Sequence, residues 1–63
     1  MSDLFIEKIR ILYDEENLLD SLAKIEDAVK IESLFSDITF DEIVEKLDIP
    51  EETVASYKVF KLL

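Results

Sequence analysis

The chain has sixty-three residues with no cysteine, histidine or glycine and a single proline, and it carries sixteen acids against seven bases for a net charge of -9. That composition describes one small domain over residues 1–63, with neither a disulfide nor a Cys/His zinc site to brace it. A chain this short buries only ~60% of the surface its unfolded form exposes, so its stability must come from close helix packing or from association.

At 49% hydrophobic and 37% charged, the chain lies outside the compositional range of disorder. No apolar run reaches the ~18 residues of a membrane span. The start "MSDLFIEK" lacks the basic segment and apolar stretch of a signal peptide. With the missing cysteines, which fit a reducing compartment, this gives the expectation of a soluble, cytoplasmic protein. Without glycine, any tight turn with positive φ must fall on Asp or Asn. That disfavours β-hairpins and favours helices joined by short polar loops.

Taken in chain order, the first helix is predicted over about residues 3–15, with Ser2 or Asp3 as its cap. Phe5, Ile9 and Leu12 follow helical spacing, flanked by Ile6 and Tyr13. Leu4 and Ile11 form a second apolar side. A strand over "EKIRILY" is the alternative, since Ile9 and Ile11 alternate with Lys8 and Arg10. "DEEN" interrupts the pattern and is read as a solvated acidic loop; it lacks the glycine and spacing of a calcium loop.

Asn17 is the predicted cap of a second helix over about 17–35, with Asp20 suited to its positive end. Leu18, Leu22, Ile25 and Val29 make one continuous stripe. Asp20–Lys24 and Glu26–Lys30 are acid-before-base pairs at i,i+4. Ala28, Ile31 and Phe35 lie on a second side.

The third helix, about 40–47, has the sharpest local signal. Thr39 and Glu42 form a capping box, and Ile38 before the cap can staple onto Ile43 after it. Ile43, Val44 and Leu47 are its inner face and Asp41, Glu45 and Lys46 its outer face, with Glu42 and Lys46 pairing along it. Asp48-Ile49-Pro50 ends the helix. Pro50 then suits the first turn of a fourth helix, about 51–62, and Glu51 and Glu52 suit that turn's dipole.

Thr39, Glu42-Ile43-Val44, Leu47, Asp48-Ile49 and Thr53-Val54 follow the pattern (S/T)-x-x-E-I-A-x-x-L-G-I-x-x-x-T-V. Over residues 22–63 the chain therefore resembles the three-helix, helix-turn-helix DNA-binding superfamily, and more narrowly sigma-factor region 4. Asp48 stands where the turn glycine is usual, and Val44 where a small residue is usual. The resemblance implies a second helix that lies in the major groove and presents positions near Glu51, Glu52, Thr53, Ala55, Ser56, Tyr57 and Val59. Family members often carry arginine or lysine at several such positions. Here Lys58 and Lys61 are the only cations of that helix, and phosphate binding draws most of its affinity from cations.

All sixteen acids lie at or before Glu52, so residues 1–52 carry -11 and the remainder +2. The tail is apolar on more than one side: Ala55, Val59 and Leu62 on one, Phe60 and Leu63 beside it, Val54 and Tyr57 on another. Either the last helix is central and packed on both sides by the other three, or one side is an interface. The second reading is the expectation, with Val54, Tyr57, Val59, Phe60, Leu62 and Leu63 as the interface. A homodimer is its simplest form, given the two terminal leucines.

For catalysis there is no histidine base, no thiol and no glycine-rich loop. Ser21, Ser33, Ser36 and Ser56 have no evident activating partner. No catalytic, cofactor or metal residues are therefore assigned.

The expected fold is all-α, a small four-helix domain with a C-terminal helix-turn-helix-like pair. The expected function is that of a non-enzymatic, acidic regulatory protein that binds a protein partner, its acidic surface suiting a basic one: an accessory regulator, an inhibitor, or an antitoxin-like or phage-encoded modulator. One alternative is a dimeric DNA-binding transcriptional regulator using Thr53, Ser56, Lys58 and Lys61. Another is a homo-oligomeric assembly subunit. Duplex DNA and membrane are not expected partners.

Overall fold

The stripe Leu18, Leu22, Ile25 and Val29 becomes the axis of the molecule. The computed structural model describes residues 3–63, with side chains from Leu4 onward; Ser2 lies outside the described residues, as does the Asp3 side chain, so the cap expected of either lies outside them too. The fold is all-α, with α1 (Asp3–Leu12), α2 (Leu18–Glu32), α3 (Phe40–Lys46) and α4 (Glu51–Leu62). "EKIRILY" is helical, and no strand occurs among the described residues.

α2 packs against α1, α3 and α4, and α1 also touches α3. The central helix is therefore α2 rather than α4. Its three-, four-residue spacing gives one buried line, in which Leu22 and Ile25 are fully buried and Val29 nearly so. Ile6 and Ile9 of α1, Ile43 of α3, Val54 and Tyr57 of α4, and the loop residues Ile38 and Ile49 close around it. Each such side chain contributes ~1.5–3 kcal/mol by leaving water. Leu12, expected on the inner face of α1, is instead partly exposed at the helix end.

Two helices stop short of their predicted ends, for local reasons. α1 ends at Leu12 because Asp14 takes over the chain: its carboxylate accepts from the Glu16 amide at 2.9 Å, and its carbonyl accepts from the Asn17 amide at 3.1 Å. This is an Asx turn, which competes with helix continuation. Asn17 sits at the N-cap position of α2, but its side chain makes no capping bond. Its amide instead lies 3.5 Å from the Asp14 carboxylate.

α2 gives way after Glu32. Leu34 and Phe35 bond back three residues rather than four, to Ile31 and Glu32, and Ser33 Oγ donates to the Lys30 carbonyl at 2.7 Å. The last turn tightens and unwinds. Of the expected i,i+4 pairs, Asp20–Lys24 forms at 3.3 Å. Glu26 turns away from Lys30 to another helix, and Glu42–Lys46 is absent from the ion pairs of the described residues, which instead include Glu7–Arg10.

The α3 start follows its sequence signal. Thr39 is extended at φ -125°, ψ 160°, and its Oγ1 accepts from the Glu42 amide at 3.2 Å. Ile38 and Ile43 on either side of the cap are both buried. The α3 end is a Schellman turn. The Ile49 amide donates to the Val44 carbonyl at 3.0 Å, and the Asp48 amide to the Glu45 carbonyl at 3.2 Å. Asp48 adopts φ 57°, so the left-handed position does fall on an aspartate. Buried Ile49 is the apolar contact that accompanies this motif. Pro50 stands one residue earlier than expected, at the N-cap position of α4, where its carbonyl accepts from Thr53 and Val54.

Both ends of α3 can be tested by thermal melting. Thr39→Ala should cost ~1 kcal/mol by stripping an amide of its acceptor, and lower Tm by roughly 4–8 °C in a domain this small. Asp48→Gly should act in the opposite direction, by ~0.5–1 kcal/mol, since it removes a left-handed penalty against a smaller entropy cost. A melting curve unmoved by Thr39→Ala would contradict its role as the cap.

Candidate interaction site

α4 carries apolar residues on several sides, and an acid on α2 meets the side that faces in. Val54, Tyr57 and Lys61 recur at i, i+3 and i+7 on one side. Glu26 lies next to Ile25 on α2, at the edge of the buried stripe. The Tyr57 hydroxyl donates to Glu26 Oε1 at 2.7 Å, and Lys61 Nζ approaches the same oxygen at 2.7 Å. Lys61 Nζ also lies 5.6 Å from the centre of the Tyr57 ring. The Phe40 ring packs on the other part of Tyr57, 6.1 Å between centroids and tilted by 40°. Four side chains from α2, α3 and α4 thus make one knot.

The knot polarises its members. The Lys61 hydrogen bond holds the Glu26 carboxyl below the usual carboxylate range despite partial burial, with Tyr57 helping. Burial and the Glu26 charge push the Tyr57 hydroxyl up to about 12.

This geometry sorts the residues expected at an interface. Val54 and Tyr57 are buried in the chain's own core, so they are not available to a partner; Tyr57 is 3% exposed. The same burial removes Tyr57 from the exposed positions that the family resemblance implies. Val59, Phe60, Leu62 and Leu63 are open to solvent, at 60%, 50%, 86% and 100%. Of the residues considered for nucleic-acid contact, Ser56 and Lys58 are exposed, Thr53 is half-buried, and Lys61 is tied to Glu26.

The exposed residues of α4 divide between two flanks of its buried side. At 100° per residue, Leu62 falls in line with Glu51, Ala55 and Lys58, and Val59 lies beside that line. Glu51, Ala55 and Lys58 line one wall of an open groove of about 570 Å³ between α3 and α4. Its floor is Val44, Ile49 and Val54, and its rim carries Asp41, Glu45, Asp48 and Glu51. Leu62 extends the α4 wall by one turn. Phe60 lies on the opposite flank, over a cleft of about 420 Å³ against Leu18, Leu19 and Ala23.

Sequence reasoning placed Asp41 and Glu45 on an outer face without seeing the groove they border. A signal was present: Asp41, Glu45, Asp48 and Glu51 are spaced by four, three and three, as residues on one side of a continuous helix would be. The cross-helix role of Glu26 was missed because Lys30 offered it a partner one turn along its own helix.

Other polar groups are satisfied locally. Buried Ser21 donates to the Leu18 carbonyl at 3.1 Å, and Ser36 to that of Glu32 at 3.4 Å. Among the described residues no cluster of metal-ligating side chains occurs, and no helix is long and apolar enough to cross a membrane. No family model, no curated protein and no solved structure matches the chain.

The knot predicts a pH signature. The raised Tyr57 contributes stability that is fully present below its unfolded value near 10 and is lost as pH rises toward about 12. The lowered Glu26 contributes stability present above its unfolded value and lost as pH falls through its folded one. Tyr57→Phe should lower stability at neutral pH by ~1.5–3 kcal/mol, the range for hydrogen bonds to charged groups. It should also flatten the alkaline limb of denaturant midpoint against pH. An alkaline limb unchanged by Tyr57→Phe would remove Tyr57 as its source.

Proposed function

We propose that the chain is a non-enzymatic, cytoplasmic interaction protein that uses a helix-turn-helix-like pair, α3 and α4, to hold a protein partner. The roles in view are those of an accessory regulator, an inhibitor or an antitoxin-like protein. The observation that carries this reading is the groove between α3 and α4: an apolar floor, continued along α4 by Leu62, and a rim of four carboxylates. Apolar surface flanked by charge is what a protein interface offers.

DNA binding is the weaker alternative. A helix that docks on a duplex neutralises phosphates with cations. α4 has two, and Lys61 is engaged with Glu26, which leaves Lys58 on a helix that opens with Glu51 and Glu52. A net charge of -9 adds long-range repulsion.

Anisotropy titration of labelled duplexes is the direct test. No duplex should bind below micromolar concentrations near physiological salt. Glu51→Lys with Glu52→Lys should then bring in weak, sequence-independent binding with a steep salt slope. Sub-micromolar binding by the wild-type chain would overturn the reading in favour of a DNA-binding regulator.

The Phe60 cleft supports a second reading, self-association through the α2/α4 flank. Phe60, Leu18, Leu19 and Ala23 bring apolar surface together there, and each large side chain buried by a second copy contributes ~1.5–3 kcal/mol against the cost of association. In sedimentation equilibrium the wild type should show a concentration-dependent rise toward twice the chain mass. Phe60→Asp should stay at one chain mass with its helical circular dichroism intact. A wild type that stays monomeric into the millimolar range would eliminate the homodimer and the assembly-subunit alternative with it.

A further inference from the structure

We infer that the α3–α4 groove takes a basic, amphipathic helix of about three turns from its partner; this rests on the protein-binding reading above and specifies the partner's chemistry. The length follows from the α4 wall of the groove, Glu51 to Lys58, together with exposed Leu62 one turn beyond it. From Glu51 to Leu62 the α4 backbone rises ~16 Å at 1.5 Å per residue, which an eleven-residue helix matches. The apolar contacts available to it are Val44, Ala55 and, one turn on, Leu62. An incoming helix meets such a line with apolar residues at i, i+3 or i+4, and i+7.

Charge selects the occupant. Asp41 and Glu45 stand on the α3 wall, Asp48 at the turn and Glu51 on the α4 wall, so lysines or arginines on both sides of the apolar line would each face a carboxylate. Lys58 is the exception on this rim. It sits two turns up α4 from Glu51 and calls for a neutral or acidic residue at one end of the partner helix, which fixes the direction in which that helix lies. A second copy of this chain is a poor occupant, because residues 1–52 carry sixteen acids against five bases, and these would meet the acidic rim. Duplex DNA meets the same repulsion.

The test uses the full chain and synthetic peptides of about fourteen residues, long enough for three helical turns. The first carries leucines at helical spacing flanked by lysine and arginine. The second has the same composition in scrambled order. The third keeps the leucine line but replaces the bases with glutamate. Binding is read by fluorescence anisotropy, and its location by amide chemical shifts.

The ordered basic peptide should bind, with shifts concentrated at Val44, Glu45, Ala55 and Leu62. The scrambled peptide should bind about tenfold more weakly, equivalent to ~1.4 kcal/mol. Asp41→Asn with Glu45→Lys should weaken the ordered peptide by about tenfold or more. Glu16→Lys with Asp20→Asn, which changes net charge equally and lies off the groove, should change binding by less than about twofold. Leu62→Ser should reduce affinity and leave helical circular dichroism unaltered.

Equal binding of ordered and scrambled peptides would overturn the proposal, since net charge alone would then account for it. So would equal loss from the two charge-matched double variants, or shifts centred on the Phe60 cleft. Capture of the acidic peptide instead would end the proposal and leave the protein-binding reading standing. Binding of duplex DNA with no binding of any peptide would end both.

Discussion

A sixty-three-residue chain in which about half the residues are hydrophobic cannot cover all of its apolar surface, and the arrangement of this molecule follows from that shortage. α2 is the one helix that the other three can all reach. It buries Leu22, Ile25 and Val29 completely or nearly so, and each neighbour presents one matching line: Ile6 and Ile9, Ile43, Val54 and Tyr57. The second apolar sides are left outside. Leu4 and Ile11 on α1, Ile31 and Phe35 at the end of α2, and Val59 and Leu62 on α4 are all exposed. Surface-to-volume scaling explains why some must be; it leaves open which. On α4 the inward side is the one whose apolar pair, Val54 and Tyr57, is joined by a polar contact to α2.

That contact, Glu26 with Tyr57 and Lys61, does two things at once. It ties the side of α4 that carries buried Tyr57 and partly exposed Lys61 to α2, while Ala55, Val59 and Leu62 lie outward. It also pairs one of the two cations of α4 with an acid, although Lys61 stays partly exposed. The exposed surface of the helix is therefore acidic at the start and apolar toward the end, with Ser56 and Lys58 between. The Asp48 turn completes the effect. A left-handed residue is needed there for the chain to turn from α3 to α4. With no glycine in the chain, a charged residue occupies it and adds to the rim of the groove that the turn creates.

These causes explain what was legible in the sequence. Thr39, Ile38 and Ile43 state the start of α3 through contacts within five residues, and the structure keeps all three. The stripe of α2 was legible because only one side of that helix carries large aliphatic residues at consistent spacing. α4 has no such contrast, so periodicity could not tell Val54 and Tyr57 from Val59 and Leu62. Its orientation depends on Glu26, thirty-one residues away from Tyr57, and no local pattern reports a contact of that range. The early end of α1 is the opposite case. Asp14 followed by Glu-Glu-Asn was read as a loop, yet the Asx turn that shortens the helix was there to be seen in Asp14 itself.

The placement of Lys61 also bears on the proposed reading of α3 and α4 as a helix-turn-helix-like pair. The tight turn between them is held by apolar residues that say nothing about phosphate. What would separate a protein-binding use from a DNA-binding one is the charge on the outer surface of α4. In this chain one of its two lysines, still partly exposed, pairs with a carboxylate at the edge of the core. Reversing that use would leave Glu26 with Tyr57 alone, at a modest cost because the pair is partly solvated. The acidic, apolar character of the α3–α4 surface is thus coupled to the packing of α4 itself, and a substitution that made the surface more basic by releasing Lys61 would loosen the helix that carries it.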